Sequence, residues 1–173
     1  GPGALAGTIE LESATPDQLE PGWASLFYGS RNSLDLDGGV AGNIGATFAT
    51  LGGSFQRSDG FIPTAKADRG PVDKPAPYQQ WSVSARTVTP LGSQTEAQLM
   101  VNAFGDQRTR GTIDTNNESK GVDASARLVG HGPWAWSATS WVQIRKLSSQ
   151  YASVNTPRTV VTETLDQYGV PAT

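Results

Sequence analysis

Alternation of apolar and polar residues with a period of two, sustained through much of the chain, most limits what this sequence can fold into. Ala97, Leu99, Val101 and Ala103 alternate with Glu96, Gln98 and Asn102. Val122, Ala124, Ala126 and Leu128 alternate with Asp123, Ser125 and Arg127. Trp134, Trp136, Ala138, Val142 and Ile144 face Ser137, Thr139, Gln143 and Arg145, and shorter runs hold Trp81, Val83 and Ala85, and Leu34 and Leu36. Successive side chains of a strand point to opposite faces, so each run reads as a two-faced strand. Several reach about ten residues, the length a tilted strand needs to cross a bilayer. With 36% hydrophobic and 17% charged residues, 20 Gly and 11 Pro, the chain is poorly suited to a helical core. It suits strands whose faces meet different solvents.

Several chemistries are excluded or unsupported. The absence of cysteine removes disulfides, thiol nucleophiles and thiolate metal sites. A net charge of -3 gives no reason to expect a nucleic-acid partner. No apolar run approaches the roughly 18 residues of a spanning helix, so a membrane crossing has to be a closed β-barrel. Residues 1–7 lack the basic and apolar regions of a signal peptide, and the chain is expected to begin inside a larger protein.

Connections sort by length. Pro90-Leu91-Gly92-Ser93 and Gly130-His131-Gly132-Pro133 are tight turns by composition, whereas 58–77, 107–120 and 148–173 are long and polar. Short turns at one end and long loops at the other are the pattern of outer-membrane barrels, with the short side periplasmic. Seven strands are expected, at 22–30, 33–41, 44–57, 79–89, 95–106, 121–129 and 134–147. Arg31-Asn32 then forms a tight outer turn and Ala41-Gly42-Asn43 the first inner turn. On the third strand Leu51, Gly53 and Phe55 are assigned outward and Phe48 inward. Trp23, Trp134 and Trp136 fall at the periplasmic ends, and Tyr28, Phe55, Tyr78 and Trp81 near the outer ends, as two aromatic girdles require. Trp141 faces inward. Core aromatics of a soluble β-sandwich are the other account of these rings.

The opening Gly1-Pro2-Gly3-Ala4-Leu5-Ala6-Gly7-Thr8-Ile9-Glu10-Leu11-Glu12-Ser13 resembles the last plug strand of TonB-dependent outer-membrane receptors. Tyr28-Gly29-Ser30-Arg31-Asn32 at the first outer turn and Phe55-Gln56-Arg57-Ser58-Asp59-Gly60-Phe61 after the third strand are similar to that family as well. The resemblance implies an all-β fold, an antiparallel transmembrane β-barrel of about 22 strands filled by a plug. Residues 1–20 would be the C-terminal end of the plug with its linker, and 21–173 the first part of the barrel. It further implies energy-coupled uptake of a scarce nutrient, such as an iron–siderophore complex, in the outer membrane of a Gram-negative bacterium. The expected partners are outer-membrane lipid, the rest of barrel and plug, the nutrient ligand, and an inner-membrane energy-coupling complex reached through the missing N-terminus. The chain has no energy-coupling box, most of the plug is absent, and seven strands leave two open edges.

No catalytic residue, metal site or cofactor is expected. His131 is the only histidine and sits between two glycines in a turn. Asp114-Thr115-Asn116-Asn117-Glu118 begins like a calcium loop, but Ser119 and Ser125 stand where glycine and the closing glutamate belong. Asp35 and Asp37 share a face with no evident cleft. Arg145, Arg86 and Arg127 point inward and are the candidate substrate-binding residues, suited to an anionic ligand or to pairing with plug carboxylates, Glu96 or Asp123. The rival readings are a soluble β-rich carbohydrate-binding or adhesion module, and a β-sandwich hydrolase using Asp35 or Glu96.

Overall fold

The alternating runs form a single layer. In a computed structural model of the chain, which describes Ala14 and residues 18–169, eight strands pair in sequence order and every neighbour is antiparallel. They are β1 (Gly22–Gly29), β2 (Ser33–Ile44), β3 (Thr47–Ser58), β4 (Tyr78–Pro90), β5 (Thr95–Arg108), β6 (Asn116–His131), β7 (Ala135–Val154) and β8 (Val161–Gly169). The sheet is open, with β1 and β8 as its edges. A short 3-10 turn, Lys66–Asp68, lies on the connection between β3 and β4.

Sequence reading found seven of these strands and misplaced several ends. The stretch 148–173, expected as loop, instead continues β7 to Val154 and supplies β8. The loop expected at 107–120 shrinks because β5 runs to Arg108 and β6 begins at Asn116. The inner turn expected at 41–43 lies at Gly45-Ala46. Ile44 pairs with Thr47, and Gly45 takes the left-handed φ of +62° that a two-residue turn needs. Arg31-Asn32 is a tight turn as expected: both residues have positive φ, and Ser33 N–H donates to Ser30 C=O at 3.2 Å.

Registers assign the two faces without ambiguity, because directly paired residues share a face. One face carries Leu36, Phe55 and Trp81 in one cross-strand row and Val40, Leu51, Ala85, Val101, Ala124 and Val142 in another. The other carries Asp35, Gln56, Gln80 and Asp106, with Asn102, Asp123 and Gln143 in a second row. Phe48 pairs with Asn43 and belongs to the polar face, as assigned from sequence. Two aromatic assignments change. Trp23 pairs with Gly39 and Tyr78 with Ser58 and Arg108, which puts both rings on the polar side.

Among the described residues no second layer covers the apolar face. Phe48 and Val72 are the only buried hydrophobic residues described, while Leu51, Val83, Leu99, Val101, Val142 and Ile144 are all exposed. A water-soluble sheet would bury such a face beneath helices or another sheet.

Tryptophans use the sheet's glycines as floors. A Cβ added to Gly105 would strike Trp81, and one added to Gly130 would strike Trp136, each glycine being the cross-strand partner of that tryptophan. Trp23 leans over its partner Gly39 in the same way, on the polar face. Gly130→Ala should therefore eject the Trp136 indole at a cost of about 1–3 kcal/mol, the range for overpacking. The check is the 19F spectrum of 5-fluorotryptophan-labelled protein, in which the one resonance lost in Trp136→Phe should shift.

Candidate functional site

Two regions gather polar chemistry: the polar face of the sheet and the end that carries the long loops. On the face, a chain of side chains crosses four strands. Gln56 Nε2 donates to both oxygens of Asp35 at 3.0 Å, Gln80 donates to Gln56, and Arg108 reaches Gln80 at 3.4 Å while pairing with Asp106. Residues opposite one another in an antiparallel sheet lie close enough for such side chains to link across strands. Asp35 is thus committed to an amide. Asp37, two positions along, lies with Ala14, Gln18 and Arg86 around a cleft of about 710 Å³.

The three candidate arginines share the polar face but do not converge. Arg145 donates from Nη2 to Asp123 Oδ2 at 2.6 Å, and its guanidinium lies 4.9 Å from the Phe104 ring centroid. It reaches Phe104 by crossing Gly121, where an added Cβ would lie 2.8 Å from Arg145 Cδ. Asp123 Oδ1 is buried with no hydrogen-bond partner among the described residues. Arg86 donates from Nη1 to the carbonyl of Ala14 at 3.4 Å, so the segment entering β1 touches the polar face. Residues 1–13, expected as part of the plug, lie outside the described residues. Arg127 is exposed and has no hydrogen-bond or ion-pair partner among the described residues. It lies six positions along β6 from Gly121, the partner of Arg145, which is roughly 20 Å of strand. One ligand bridging all three would have to be large.

At the other region the long loops are knitted together. Asp73, on the β3–β4 connection, has a side chain 1% exposed and receives Arg158 of the β7–β8 loop at 2.6 Å. Thr64 Oγ1 and the Gly70 N–H also donate to its carboxylate, both at 2.8 Å. Asp73 forms an isolated bridge with Thr112 of the β5–β6 loop, and Lys74 N–H donates to Gly111 C=O at 2.9 Å. Gly70 sits against Arg158 C=O so closely that no Cβ fits there. Val72 fills the small core beneath. The first turn joins through Asp59 N–H to Arg31 C=O at 2.9 Å, with Arg31 5.5 Å from the Phe61 ring centroid. Hydrogen bonds from Arg158 and Gly70 hold the Asp73 carboxyl well below the usual carboxylate range.

No family model, curated protein or solved structure matches the chain.

Other sequence candidates have plain roles. His131 is exposed beside its hairpin turn, with Nε2 3.9 Å from Glu96. Asp114 takes the left-handed region in a turn, and Asn116–Glu118 continue into β6, where successive side chains diverge. These oxygens therefore do not surround one point, and no cluster of three or more His, Asp or Glu suited to a metal occurs among the described residues. The Asp73–Arg158 pair was not singled out from sequence: the partners are 85 residues apart, in loops without periodicity.

Proposed function

We propose that this chain forms part of the wall of an outer-membrane β-barrel receptor, its apolar face against lipid and its polar face toward the lumen. The observation that carries this reading is the uncovered apolar face and its height. On β7 Trp136 and Lys146 are ten positions apart, with Ala138, Ser140, Val142 and Ile144 between them on that face. At roughly 3.3 Å per residue this is about 33 Å of strand. At a tilt of about 40° it gives about 25 Å, the height of the apolar band of such barrels. Between the row of Trp81, Lys120 and Lys146 and the short turns, no charged residue occurs on this face among the described strands. Trp81 lies near the upper limit of the band and Trp136 near the lower, where amphipathic rings meet headgroups.

Further strands pairing with β1 and β8 would close the wall, since open edges are not tolerated in hydrocarbon. Short turns at Gly45-Ala46, 91–94 and 132–134 would face the periplasm, and the loop cap the exterior. No described helix is long and apolar enough to cross a membrane, which leaves crossing to strands. Uptake of a scarce nutrient, such as an iron–siderophore complex, rests on the resemblance of 1–13, 28–32 and 55–61 to TonB-dependent receptors. Under this reading the loop cap and the arginines beneath it offer a ligand its first contacts.

Spin labels at Val142 and Gln143 test the wall directly. The label at 142 should be quenched by lipid-dissolved oxygen and the one at 143 by a water-soluble nickel chelate. Equal access at the two sites, as in a soluble sheet, defeats the proposal.

A further inference from the structure

The β7–β8 loop, residues 155–160, holds its own shape. Asn155 Oδ1 accepts the N–H groups of Thr159 and Val160, both at 2.8 Å, and Asn155 Nδ2 donates to Thr159 Oγ1 at 2.8 Å. Arg158 N–H donates to Asn155 C=O at 2.7 Å, and Asn155 N–H to Val160 C=O at 3.1 Å. Arg158 takes a φ of +69°, in the left-handed region that residues with a side chain use sparingly. The loop is a preformed turn that presents one guanidinium.

Its hold on the other loops is concentrated in that guanidinium. Among the described residues, every hydrogen bond from 155–160 to another loop comes from the Arg158 side chain. Nε donates to both Asp73 oxygens at 3.0 Å, and Nη2 to Asp73 Oδ1 at 2.6 Å and Thr112 Oγ1 at 3.4 Å. The Arg158 carbonyl rests on Gly70, but a cleft of about 380 Å³ lies between 154–158 and 67–69. Beneath the loop the ladder is interrupted. Ser153 pairs with Glu163 but Val154 with Val161, which leaves Thr162 as the extra residue of a bulge, where a strand bends and its pairing is disrupted. The receiving side is held without the loop. Gly70 N–H and Thr64 Oγ1 keep the Asp73 carboxylate in place, and the Lys74 and Ile113 N–H groups fasten 72–74 to 111–113.

We propose that residues 155–160 form a latch, which swings as one body on the bulge at Ser153 and Val154 and is held shut by Arg158 on the Asp73 carboxylate. Opening breaks the contacts of one arginine and unfolds nothing, because the turn keeps its Asn155 bonds and Asp73 keeps two donors. Such a local opening lies far below global unfolding in free energy, and the open form is a minor population in exchange with the closed one. It uncovers the 67–70 backbone and a carboxylate whose side chain is 1% exposed when the latch is shut. Closed, the latch joins the β3–β4, β5–β6 and β7–β8 loops; open, it frees the third from the other two. The proposal goes beyond the barrel-wall reading and does not depend on it, since it needs only the loops.

The chain has no cysteine, so introduced cysteines carry spin labels at chosen pairs in the full chain. One pair, Thr156 and Lys66, spans the latch and the β3–β4 loop; the other, Lys66 and Ile113, lies within the receiving side, and all three residues are exposed. Pulsed electron-spin distance measurements should give one dominant distance for each pair. Arg158→Gln should raise the open-to-closed ratio of the first pair at least about tenfold, because a charge-assisted contact is lost. The second pair should keep its distance, and the label at Thr156 should stay as ordered as in the native protein. No change in the first pair means that Arg158 does not hold the latch and overturns the proposal. Broadening of both pairs means that the cap melts as one unit, and a Thr156 label as mobile as in the urea-unfolded chain means that the turn does not survive release; either overturns it. Loss of lipid access at 142 would defeat the wall and leave these outcomes untouched.

Discussion

Val101→Arg is expected to destabilise the membrane-inserted protein by about 2–4 kcal/mol, the cost of a basic residue on the lipid face near the bilayer midplane. Val101 sits midway along β5 between Gly105, beneath Trp81, and Thr95, whose partner Gly130 lies beneath Trp136. Its cross-strand neighbours Ala85 and Ala124 are small and apolar, so no carboxylate stands ready to receive the guanidinium. The same substitution separates membrane from water. Val101 is 47% exposed, and an arginine at so exposed a site in water should change stability by less than about 0.5 kcal/mol. Asn102→Arg, one position away on the polar face, is the control and should be nearly neutral beside Asp123. Urea unfolding in lipid vesicles, followed by tryptophan fluorescence, gives both values. Equal effects at 101 and 102 remove the distinction between the faces.

That contrast was legible in sequence because between Lys120 and Gly130 every second residue of β6 is apolar or small. Alternation records a difference between two environments, so it marks a strand only where the environments differ. β7 runs on through Ser148, Ser149, Gln150 and Ser153, and β8 through Glu163, Thr164, Asp166 and Gln167, which put polar residues on both faces among apolar ones such as Tyr151 and Leu165. With so little contrast the pattern vanishes and sequence reading finds loop, though the backbone pairing continues. The same reasoning explains the first inner turn. Gly42 and Asn43 have turn-like composition, but the chain carries the pairing two residues farther, to the glycine with the left-handed conformation.

The candidate site was legible in part. The face of Arg86, Arg127 and Arg145 follows from parity alone, and Asp123 was among the partners considered for Arg145. Their separation required the register, because parity says nothing about position along neighbouring strands. Register also creates the Lys120–Lys146 pair from residues 26 positions apart, and the tryptophan–glycine contacts from residues whose spacing differs in every hairpin. The loop cap was the least visible. Sequence reading took 58–77 as an open, charged loop because of its prolines and charges. Those prolines do prevent a strand, yet Asp73 and Val72 are buried.

Burial changes what proteolysis should report. Lys66, Arg69 and Lys74 are exposed, but the backbone between them is tied down by the Asp73 carboxylate and by bonds to the 109–115 loop. Trypsin needs a locally opened segment, so cleavage follows the population of the open cap. In the native protein, cleavage at these residues should be slow. Asp73→Asn keeps the shape of the side chain and removes its charge, leaving Arg158 without its partner. Because charge-assisted hydrogen bonds are among the strongest in a protein, cleavage should accelerate at least about tenfold. Arg158→Gln should do the same, and the double variant should add little, since both changes remove one interaction. Acid should act in the same direction as the mutations. The folded-state carboxyl titrates far below the unfolded value of about 3.9, so its contribution is complete above that value and is lost only as pH falls through the depressed one. An acid-active protease at about pH 3 should therefore still find the cap largely closed, whereas Asp73→Asn is open at every pH. On intact cells, trypsin should cut the Asp73→Asn variant from outside. Cleavage that appears only after the outer membrane is broken would put the long loops on the periplasmic side and invert the proposed orientation.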